Sequence, residues 1–171
     1  VVAEHISGSE REFAKLMTRY AREIGMKKTT FKNASGLNNR AQLTTARETT
    51  ILAHALISNF PEYYTLFSEK KFTWKGKTFT SHNRLMLKYD GADGIKTGYI
   101  LASGFQLAFS AVRNNKRLIG IYFGGDTAKQ RDQSLTFLMD KEFEELQTND
   151  TKKTNQTKSF NKFKIVVGTF K

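Results

Sequence analysis

Apolar residues recur at three- and four-residue spacing in three stretches of the sequence, and each stretch predicts a helix. The first begins with a capping box at Ser9 and ends near Gly25. Its apolar stripe consists of Phe13, Leu16, Met17, Tyr20, Ala21 and Ile24. The second begins with a similar box at Thr45 and ends before Pro61. Its predicted buried stripe consists of Ile51, Leu52, Ala55 and Leu56. The third helix covers roughly residues 127–146.

Strands are predicted where apolar and polar residues alternate or where turns bound a short apolar run. Two short segments on either side of Gly76 predict a hairpin. Three later segments, separated by short turns, predict an antiparallel meander: residues 95–100, 105–111 and 118–123. The order helix, helix, hairpin, meander, helix predicts an α+β fold with helices packed on an antiparallel sheet.

The last part of the chain has a different composition. Residues 147–162 are rich in Lys, Thr and Asn and predict a polar, flexible linker. Residues 163–171 alternate like a strand, but no later segment could pair with it, and a lone strand is unstable. We therefore expect one unit over residues 1–146, a linker, and the start of a further domain.

Composition and charge narrow the functional classes. The 171 residues include 28 Lys and Arg against 16 Asp and Glu, which gives a formal net charge of +12. No apolar run reaches the ~18 residues of a membrane span, and the absence of cysteine excludes disulfides and thiolate metal sites. The charge favours anionic partners such as lipid headgroups or acidic wall polymers. Nucleic acid is disfavoured, because no helix carries a basic stripe. The chain begins without Met or a signal peptide, so we expect a piece of a longer protein.

The tripeptide Lys96-Thr97-Gly98 lies on a predicted strand and suggests a chemistry. Such a strand is one of three elements of penicillin-recognising serine enzymes, together with S-x-x-K and S-x-N. The lysine supplies positive charge near a substrate carboxylate, and the threonine hydroxyl can donate to it. The glycine leaves the strand bare, so that substrate can lie along it as an added strand.

Several further segments occur in the same order in one family. The chain resembles the serine-type D-alanyl-D-alanine carboxypeptidases, which are low-molecular-mass penicillin-binding proteins of the peptidase S11 kind. The resemblance covers about residues 1–146. It is carried by Asn33-Ala34-Ser35-Gly36-Leu37, Leu43-Thr44-Thr45-Ala46-Arg47, Phe60-Pro61-Glu62-Tyr63-Tyr64, Phe67-Ser68, His82-Asn83-Arg84-Leu85, Gly94 to Tyr99, Ala102-Ser103-Gly104-Phe105, Arg117-Leu118-Ile119 and Gly124-Gly125 with Arg131.

The resemblance implies a transpeptidase-like fold whose N-terminal part is missing here. It places five residues at the substrate: Lys96, Thr97, Gly98, Tyr99 and Arg131. The backbone N–H of Tyr99 would complete the oxyanion hole, and the Arg131 guanidinium would bind the terminal carboxylate of the substrate. A solvated Arg131 in the first turn of the last helix is the alternative. The nucleophilic serine and its lysine base are expected upstream of Val1, and no cofactor or metal is implied.

Three sequence matches to the catalytic motifs are interpreted as coincidental or structural. Ser68 and Ser159 each precede a lysine by three residues, but neither begins a buried helix in which that lysine would be desolvated. Ser81-His82-Asn83 satisfies S-x-N but stands just ahead of the Lys-Thr-Gly strand. His5 and His54 have no second ligand at useful spacing, so a metal site is not expected, and His82 is expected to hydrogen-bond backbone near the hairpin.

The resemblance predicts removal of the terminal D-alanine from peptidoglycan stem peptides through an acyl-serine, outside the cytoplasmic membrane, in cell-wall biogenesis. The intact parent would be acylated by β-lactams and could associate peripherally with the membrane. Residues 163–170 resemble the first strand of the peptidoglycan-binding SPOR domain. Two alternatives remain open: a catalytically inert fragment that binds peptidoglycan or polyanions, and a related β-lactamase. All of this requires a groove beside the outward edge of the Lys-Thr-Gly strand.

Overall fold

The computed structural model describes residues 1–153 and 163–169, and the side chains of residues 1–148. It confirms the predicted α+β fold. The helices are α1 (Val2–Ser7), α2 (Glu10–Glu23), α3 (Ala46–Asn59), α4 (Pro61–Tyr64), α5 (Arg84–Lys88) and α6 (Ala128–Lys153). The strands are β1 (Lys71–Trp74), β2 (Lys77–Thr80), β3 (Ala92–Ile100), β4 (Gly104–Arg113), β5 (Lys116–Gly125) and β6 (Phe163–Thr169).

The main sheet has the strand order β3-β4-β5-β6. Strands β3, β4 and β5 are antiparallel neighbours, which confirms the predicted meander. The turn between β4 and β5 uses two asparagines with positive φ, Asn114 and Asn115. Strands β1 and β2 form a separate two-stranded sheet, which is the predicted hairpin.

Helices cover both faces of the main sheet and create two apolar cores. On one face, α6 buries Leu135, Met139 and Phe143 against β4 and β5. On the other face, α3 packs against Ile119 and Ile121 of β5. Because successive strand residues point to opposite faces, the neighbouring residues of β5 supply both cores.

The buried face of α3 differs from the predicted stripe. The buried residues are Ala46, Glu48, Thr50, Ala53 and Ile57, whereas Leu52 is 41% exposed. Small side chains at Ala46 and Ala53 allow close approach to the sheet, and periodicity alone cannot choose between two apolar faces of one helix. Only the tertiary contact selects the face.

The predicted stripe of α2 is also only partly covered. Ala21 is buried, together with Ala14, which lay outside the predicted set. Tyr20 is 56% exposed. The helix begins as predicted, because the Ser9 side chain accepts from the backbone N–H of Glu12 at 3.2 Å.

The end of the chain departs from the predicted pattern. Helix α6 continues to Lys153, past the predicted end at 146, so the first residues assigned to a linker are helical. Residues 154–162, including Ser159, lie outside the described residues. Strand β6 pairs in parallel with β5, so the expectation that it lacks a partner is wrong. The further domain and its SPOR-like identity stay predictions.

We predict that core and surface positions of α6 respond very differently to truncation. Leu135 is fully buried and Phe137, two residues on, is 69% exposed. Leu135→Ala should lower the free energy of unfolding by about 2–5 kcal/mol, because it removes apolar contacts and leaves a cavity. Phe137→Ala should change it by less than about 0.5 kcal/mol. Urea denaturation followed by circular dichroism measures both, and equal effects would contradict the packing described for α6.

Candidate active-site groove

The Lys-Thr-Gly segment lies on β3, at the edge of the main sheet. Within the described residues, β3 pairs only with β4, so its outer edge carries unpaired backbone groups. A groove with a volume of about 1220 Å³ runs along this edge. All five residues predicted at the substrate line it: Lys96, Thr97, Gly98, Tyr99 and Arg131. The required opening beside the strand is therefore present.

Three parts of the chain enclose the groove. Strand β3 and the start of β4 form one side. The loop between α2 and α3 forms the other, through residues including Phe31, Asn33 to Gly36, and Gln42 to Thr44. The end of the hairpin, from Thr80 to His82, adds a third boundary. The sequence predicted this loop only as irregular and polar.

Side chains hold the loop in place where regular structure is absent. The Thr18 hydroxyl of α2 accepts from the backbone N–H of Phe31 at 2.9 Å. The Gln42 side chain accepts from two successive backbone N–H groups, those of Lys32 and Asn33. Asn33 then accepts from the N–H of Gly36, whose φ of 77° suits glycine. These hydrogen bonds fix the loop, so the side of the groove opposite β3 is an ordered surface.

Glu48 of α3 anchors the base of the same loop. Its carboxylate accepts from the backbone N–H of Lys28 at 2.7 Å and from the Thr29 hydroxyl at 2.5 Å. Burial alone would raise the pKa of Glu48, but these two donors and the positive charge of Arg22 hold it below the usual value. The predicted capping box is thus only half realised: Thr45 accepts from the Glu48 N–H, while the Glu48 carboxylate binds the loop.

The three residues of the motif differ in exposure and contacts. Lys96 is exposed, and its ammonium donates to the Thr97 carbonyl at 2.7 Å. Thr97 and Gly98 are half-buried. A methyl group added at Gly98 would meet only Gln106, at 3.6 Å, which is ordinary contact. The protein's own packing therefore does not require glycine at position 98. The missing side chain matters instead on the side of β3 that faces the groove. Tyr99 is 54% exposed and packs on Phe105.

Arg131 is not the solvated residue that one interpretation expected, because only 3% of it is exposed. Its guanidinium donates twice to one oxygen of Asp132, at 2.9 and 2.7 Å, and once to the Gln106 carbonyl at 3.2 Å. Asp132 therefore compensates the buried charge and fixes its orientation. Arg131 still lines the groove. Its role at a substrate carboxylate stays a prediction.

Polar side chains from β5 and α4 hold the start of β3 in place. Arg117 of β5 donates to Asp93 and to the Ser110 hydroxyl, each at 2.6 Å. The Tyr64 hydroxyl donates to the other oxygen of Asp93 at 3.3 Å. Burial raises the pKa of Tyr64 to about 12, so this phenol stays protonated and can donate at neutral pH. A side chain at Gly94 would collide with the Tyr64 oxygen, at 2.6 Å.

The electrostatics of the groove favour an anion. Lys96, Arg84 and Arg131 line it, and no Asp or Glu occurs among the lining residues that the structure describes. Within the same part of the chain, no three His, Asp or Glu side chains are placed to hold a metal ion. The basic lining can attract a carboxylate.

The serines that match catalytic motifs make local structural contacts. Ser68 ends a short 3-10 turn, and its hydroxyl donates to the Thr65 carbonyl at 2.7 Å. Ser81 accepts from the N–H of Asn83, and the Asn83 side chain caps α5. For these two sites the structure agrees with the structural interpretation. Ser159 is outside the described residues.

Comparison with solved structures first defines the class of protein. The chain superposes on penicillin-binding protein 6B from Escherichia coli with a TM-score of 0.73 and 34% identity, over 81% of this chain and 44% of that one. It superposes on penicillin-binding protein D2 from Listeria monocytogenes, in its ampicillin-bound form, with a TM-score of 0.72 and 31% identity, over 81% and 58%. The fold is that of penicillin-binding proteins.

Sequence comparison then identifies the family. The profile of the peptidase S11 family, the D-alanyl-D-alanine carboxypeptidases, matches residues 1–127, and the chain belongs to this family. It is 37% identical to D-alanyl-D-alanine carboxypeptidase DacD of Escherichia coli, over 81% of this chain and 36% of that protein. It is also 37% identical to DacF of Bacillus subtilis, over 91% and 41%. The chain spans about two-fifths of the length of these relatives.

Two parts of the site were missed by reasoning from sequence. The loop between α2 and α3 carries Asn33 and Gln42, whose side chains accept hydrogen bonds from backbone N–H groups. In the sequence, only the Asn-x-x-Gly spacing indicated a turn there. The ion pair between Asp93 of β3 and Arg117 of β5 was also missed, because no local sequence pattern pairs residues that are so distant in the chain.

We predict that Glu48 makes the stability of the chain depend on pH. Because its pKa is lowered by folding, its contribution should be present above the usual value of 4.5 and lost as the pH falls through the folded value. Glu48→Gln should therefore destabilise the chain at pH 7, and by progressively less as the pH falls further below 4.5. Urea midpoints of wild type and variant over a series of pH values measure this, with exposed Glu62→Gln as the control. A constant difference between wild type and variant would contradict the assignment.

Proposed function

We propose that the groove binds the D-alanyl-D-alanine end of peptidoglycan stem peptides, and that the chain supplies the substrate-binding wall of a serine D,D-carboxypeptidase of cell-wall biogenesis. One observation carries the proposal: the Lys-Thr-Gly segment lies on an open sheet edge beside a groove whose described lining contains no carboxylate. The relatives matched by the chain are named D-alanyl-D-alanine carboxypeptidases, which supports the same activity.

The edge of β3 suits an extended peptide. Unpaired N–H and C=O groups of an edge strand can pair with a peptide laid beside them as an extra strand. Gly98 presents no side chain there, and a methyl group would be tolerated by the protein's own atoms. The exposed edge is therefore suited to main-chain recognition of an extended peptide.

Basic groups would hold the terminal carboxylate of the substrate. Lys96 has no carboxylate partner among the side chains that the structure describes, and it can turn from the Thr97 carbonyl toward the groove. The Thr97 hydroxyl is the neighbouring donor. Arg131 already uses both sides of its fork on Asp132 and Gln106, so it would act through its remaining N–H groups or through its charge.

The proposed reaction needs a nucleophile and a base from outside this chain. A serine oxygen attacks the carbonyl of the penultimate D-alanine while a lysine accepts its proton, and the oxyanion receives backbone donors that include the Tyr99 N–H. The C–N bond breaks, terminal D-alanine leaves with the proton, and water hydrolyses the acyl-serine. Among the described residues, no serine of the groove is hydrogen-bonded to a lysine, so both groups are proposed to lie upstream of Val1.

A Lys-Thr-Gly strand is one element of penicillin-recognising serine enzymes, and this extends the proposal to β-lactams. The Listeria monocytogenes neighbour has been solved in ampicillin- and cefotaxime-bound forms. We propose that the intact parent of this chain is acylated by β-lactams in the same groove. We also propose that it acts outside the cytoplasmic membrane, where its wall substrate is found, after export by a signal upstream of Val1.

We predict that the chain binds acyl-D-alanyl-D-alanine reversibly through the free carboxylate. NMR titration should show shifts along β3, and a carboxamide-capped peptide should bind more weakly. Lys96→Gln should weaken binding about two- to fivefold, the range for one exposed ion pair. Lys88→Gln removes an exposed lysine outside the groove and should have no effect. Equal binding of the capped and free peptides would contradict the carboxylate assignment.

We predict that a fluorescent penicillin forms no covalent adduct with this chain. Extension of the reading frame upstream of Val1 should encode S-x-N and S-x-x-K, and the longer polypeptide should then be labelled at the serine of S-x-x-K. Gel fluorescence and peptide mapping measure both results. Labelling of the present chain at Ser68 or Ser159 would overturn the proposal. An extended protein that binds peptidoglycan without labelling would favour the non-catalytic alternative.

A further inference from the structure

The start of α6 holds the backbone of Arg131 in one position. The N–H of Arg131 donates to the Thr127 carbonyl at 3.1 Å. The Thr127 hydroxyl accepts from the Gln130 N–H at 3.1 Å, and the Gln130 side chain accepts from the Asp126 N–H at 2.9 Å. Such bonds order the first turn of a helix, where backbone N–H groups have no helical partner. Arg131 therefore projects from a fixed point.

The strands beside α6 leave room for this side chain and supply one of its partners. Gly125, at the end of β5, has no side chain, and a methyl group there would lie only 3.3 Å from the Arg131 Cβ. The register between β4 and β5 shifts at Gln106, which has no partner residue in β5. Its carbonyl accepts from the Arg131 Nη1 at 3.2 Å. Because Gln106 pairs with Gly98 of β3, this bond places the guanidinium one strand away from the Lys-Thr-Gly motif.

Asp132 holds one edge of the same guanidinium. Its Oδ1 atom accepts from the Arg131 Nε at 2.9 Å and from Nη2 at 2.7 Å. The Arg131 side chain is only 4% exposed, and that of Asp132 is 18% exposed. Arg131 lines the groove, whereas Asp132 does not. The carboxylate thus compensates a buried charge without itself forming part of the groove surface.

These contacts leave part of the guanidinium free. A guanidinium carries five N–H donors in one plane. Asp132 and the Gln106 carbonyl take three of them, and Nη1 and Nη2 of Arg131 each keep one further N–H. Paired N–H groups of this kind match the two oxygens of a carboxylate. Because Asp132 occupies the edge formed by Nε and Nη2, a ligand must approach the end formed by Nη1 and Nη2.

We propose that Asp132 is a positioning residue for recognition of the terminal carboxylate of the substrate. By holding the Nε edge of Arg131, it aims the free end of the guanidinium at the groove beside Gly98. The groove thereby prefers peptides that end in a free carboxylate over peptides whose C-terminus is capped. Asp132 touches no substrate and acts only through Arg131. This inference rests on the proposed function of the groove, because the ligand is the one proposed there.

Two effects of Asp132 on a bound carboxylate oppose each other. Its negative charge repels the ligand, whereas its hydrogen bonds fix the direction of the Arg131 donors. Hydrogen bonds weaken steeply when the donor turns away from the acceptor. The repulsion is weaker, because the guanidinium lies between the two carboxylates and its positive charge offsets it. We therefore expect the loss of orientation to outweigh the loss of repulsion.

Two substitutions separate orientation from charge, because both hydrogen bonds use one oxygen of Asp132. Asp132→Asn keeps an acceptor there and removes the charge, so it should change binding of acyl-D-alanyl-D-alanine by less than about threefold. Asp132→Ala removes both and should weaken this binding about tenfold, the loss for one hydrogen bond to a charged group. Binding of a carboxamide-capped peptide should stay unchanged in both variants. NMR titration of the full chain measures these affinities.

A control on the same helix separates positioning from loss of stability. Asp140 accepts from the Tyr89 hydroxyl at 2.6 Å and pairs with Arg113, away from the groove lining. Asp140→Ala should lower the thermal midpoint and leave the preference for the free peptide intact. In an Arg131→Gln background, Asp132→Ala should change binding of the free peptide by less than about twofold, because the group it positions is gone.

The Nε proton of Arg131 reports the positioning without any ligand or variant. In the wild-type chain, its NMR signal should be protected from exchange with solvent, because the proton is buried and bonded to Asp132. The Nε proton of Arg11, which is an exposed residue of α2, is the unprotected reference. Asp132→Ala should remove the protection, and Asp132→Asn should retain most of it.

Three results would overturn this inference while the wild-type preference for the free peptide remains. One is an Asp132→Ala variant that keeps the preference, including one that binds both peptides equally less well. Another is tighter binding of the free peptide by both variants, which would show that Asp132 acts only through its charge. The third is an Arg131 Nε proton that exchanges as fast as that of Arg11. Equal binding of free and capped peptides by the wild-type chain is a different failure, and it would overturn the carboxylate assignment of the proposed function together with this inference.

Discussion

The site depends on a strand edge that is open to a ligand and yet held in one position. Unpaired edges fray or aggregate unless something restrains them. Here β4 pairs along the inner edge of β3, and Asp93 at its start is bound by Arg117 and Tyr64. The Tyr64 oxygen leaves no room for a side chain at Gly94. The strand can therefore present backbone groups without losing its place.

The opposite wall meets the same requirement without regular structure. The loop between α2 and α3 relies on side chains from both helices, Thr18 and Glu48, and on Gln42 within the loop. Charge-assisted bonds to a carboxylate are among the stronger hydrogen bonds, so Glu48 is the firmest of these contacts. The groove thus lies between a strand fixed by pairing and a loop fixed by buried polar groups.

Strand β3 and the β1–β2 hairpin expose different chemical groups to solvent. Strand β3 exposes backbone groups, which suits recognition of an extended chain and makes little use of side chains. The β1–β2 hairpin exposes aromatic rings and lysines instead.

Local sequence was sufficient for the caps at Ser9 and Thr45, the hairpin turn and the three antiparallel strands, because capping and alternation act over a few residues. The Lys-Thr-Gly motif, together with the surrounding segments in the same order, also indicated the family. The buried face of α3, the pairing of Arg131 with Asp132 and the distant brace on Asp93 were decided only by tertiary structure. Each depends on which surfaces meet, and residues far apart in sequence leave no local pattern that records their contact.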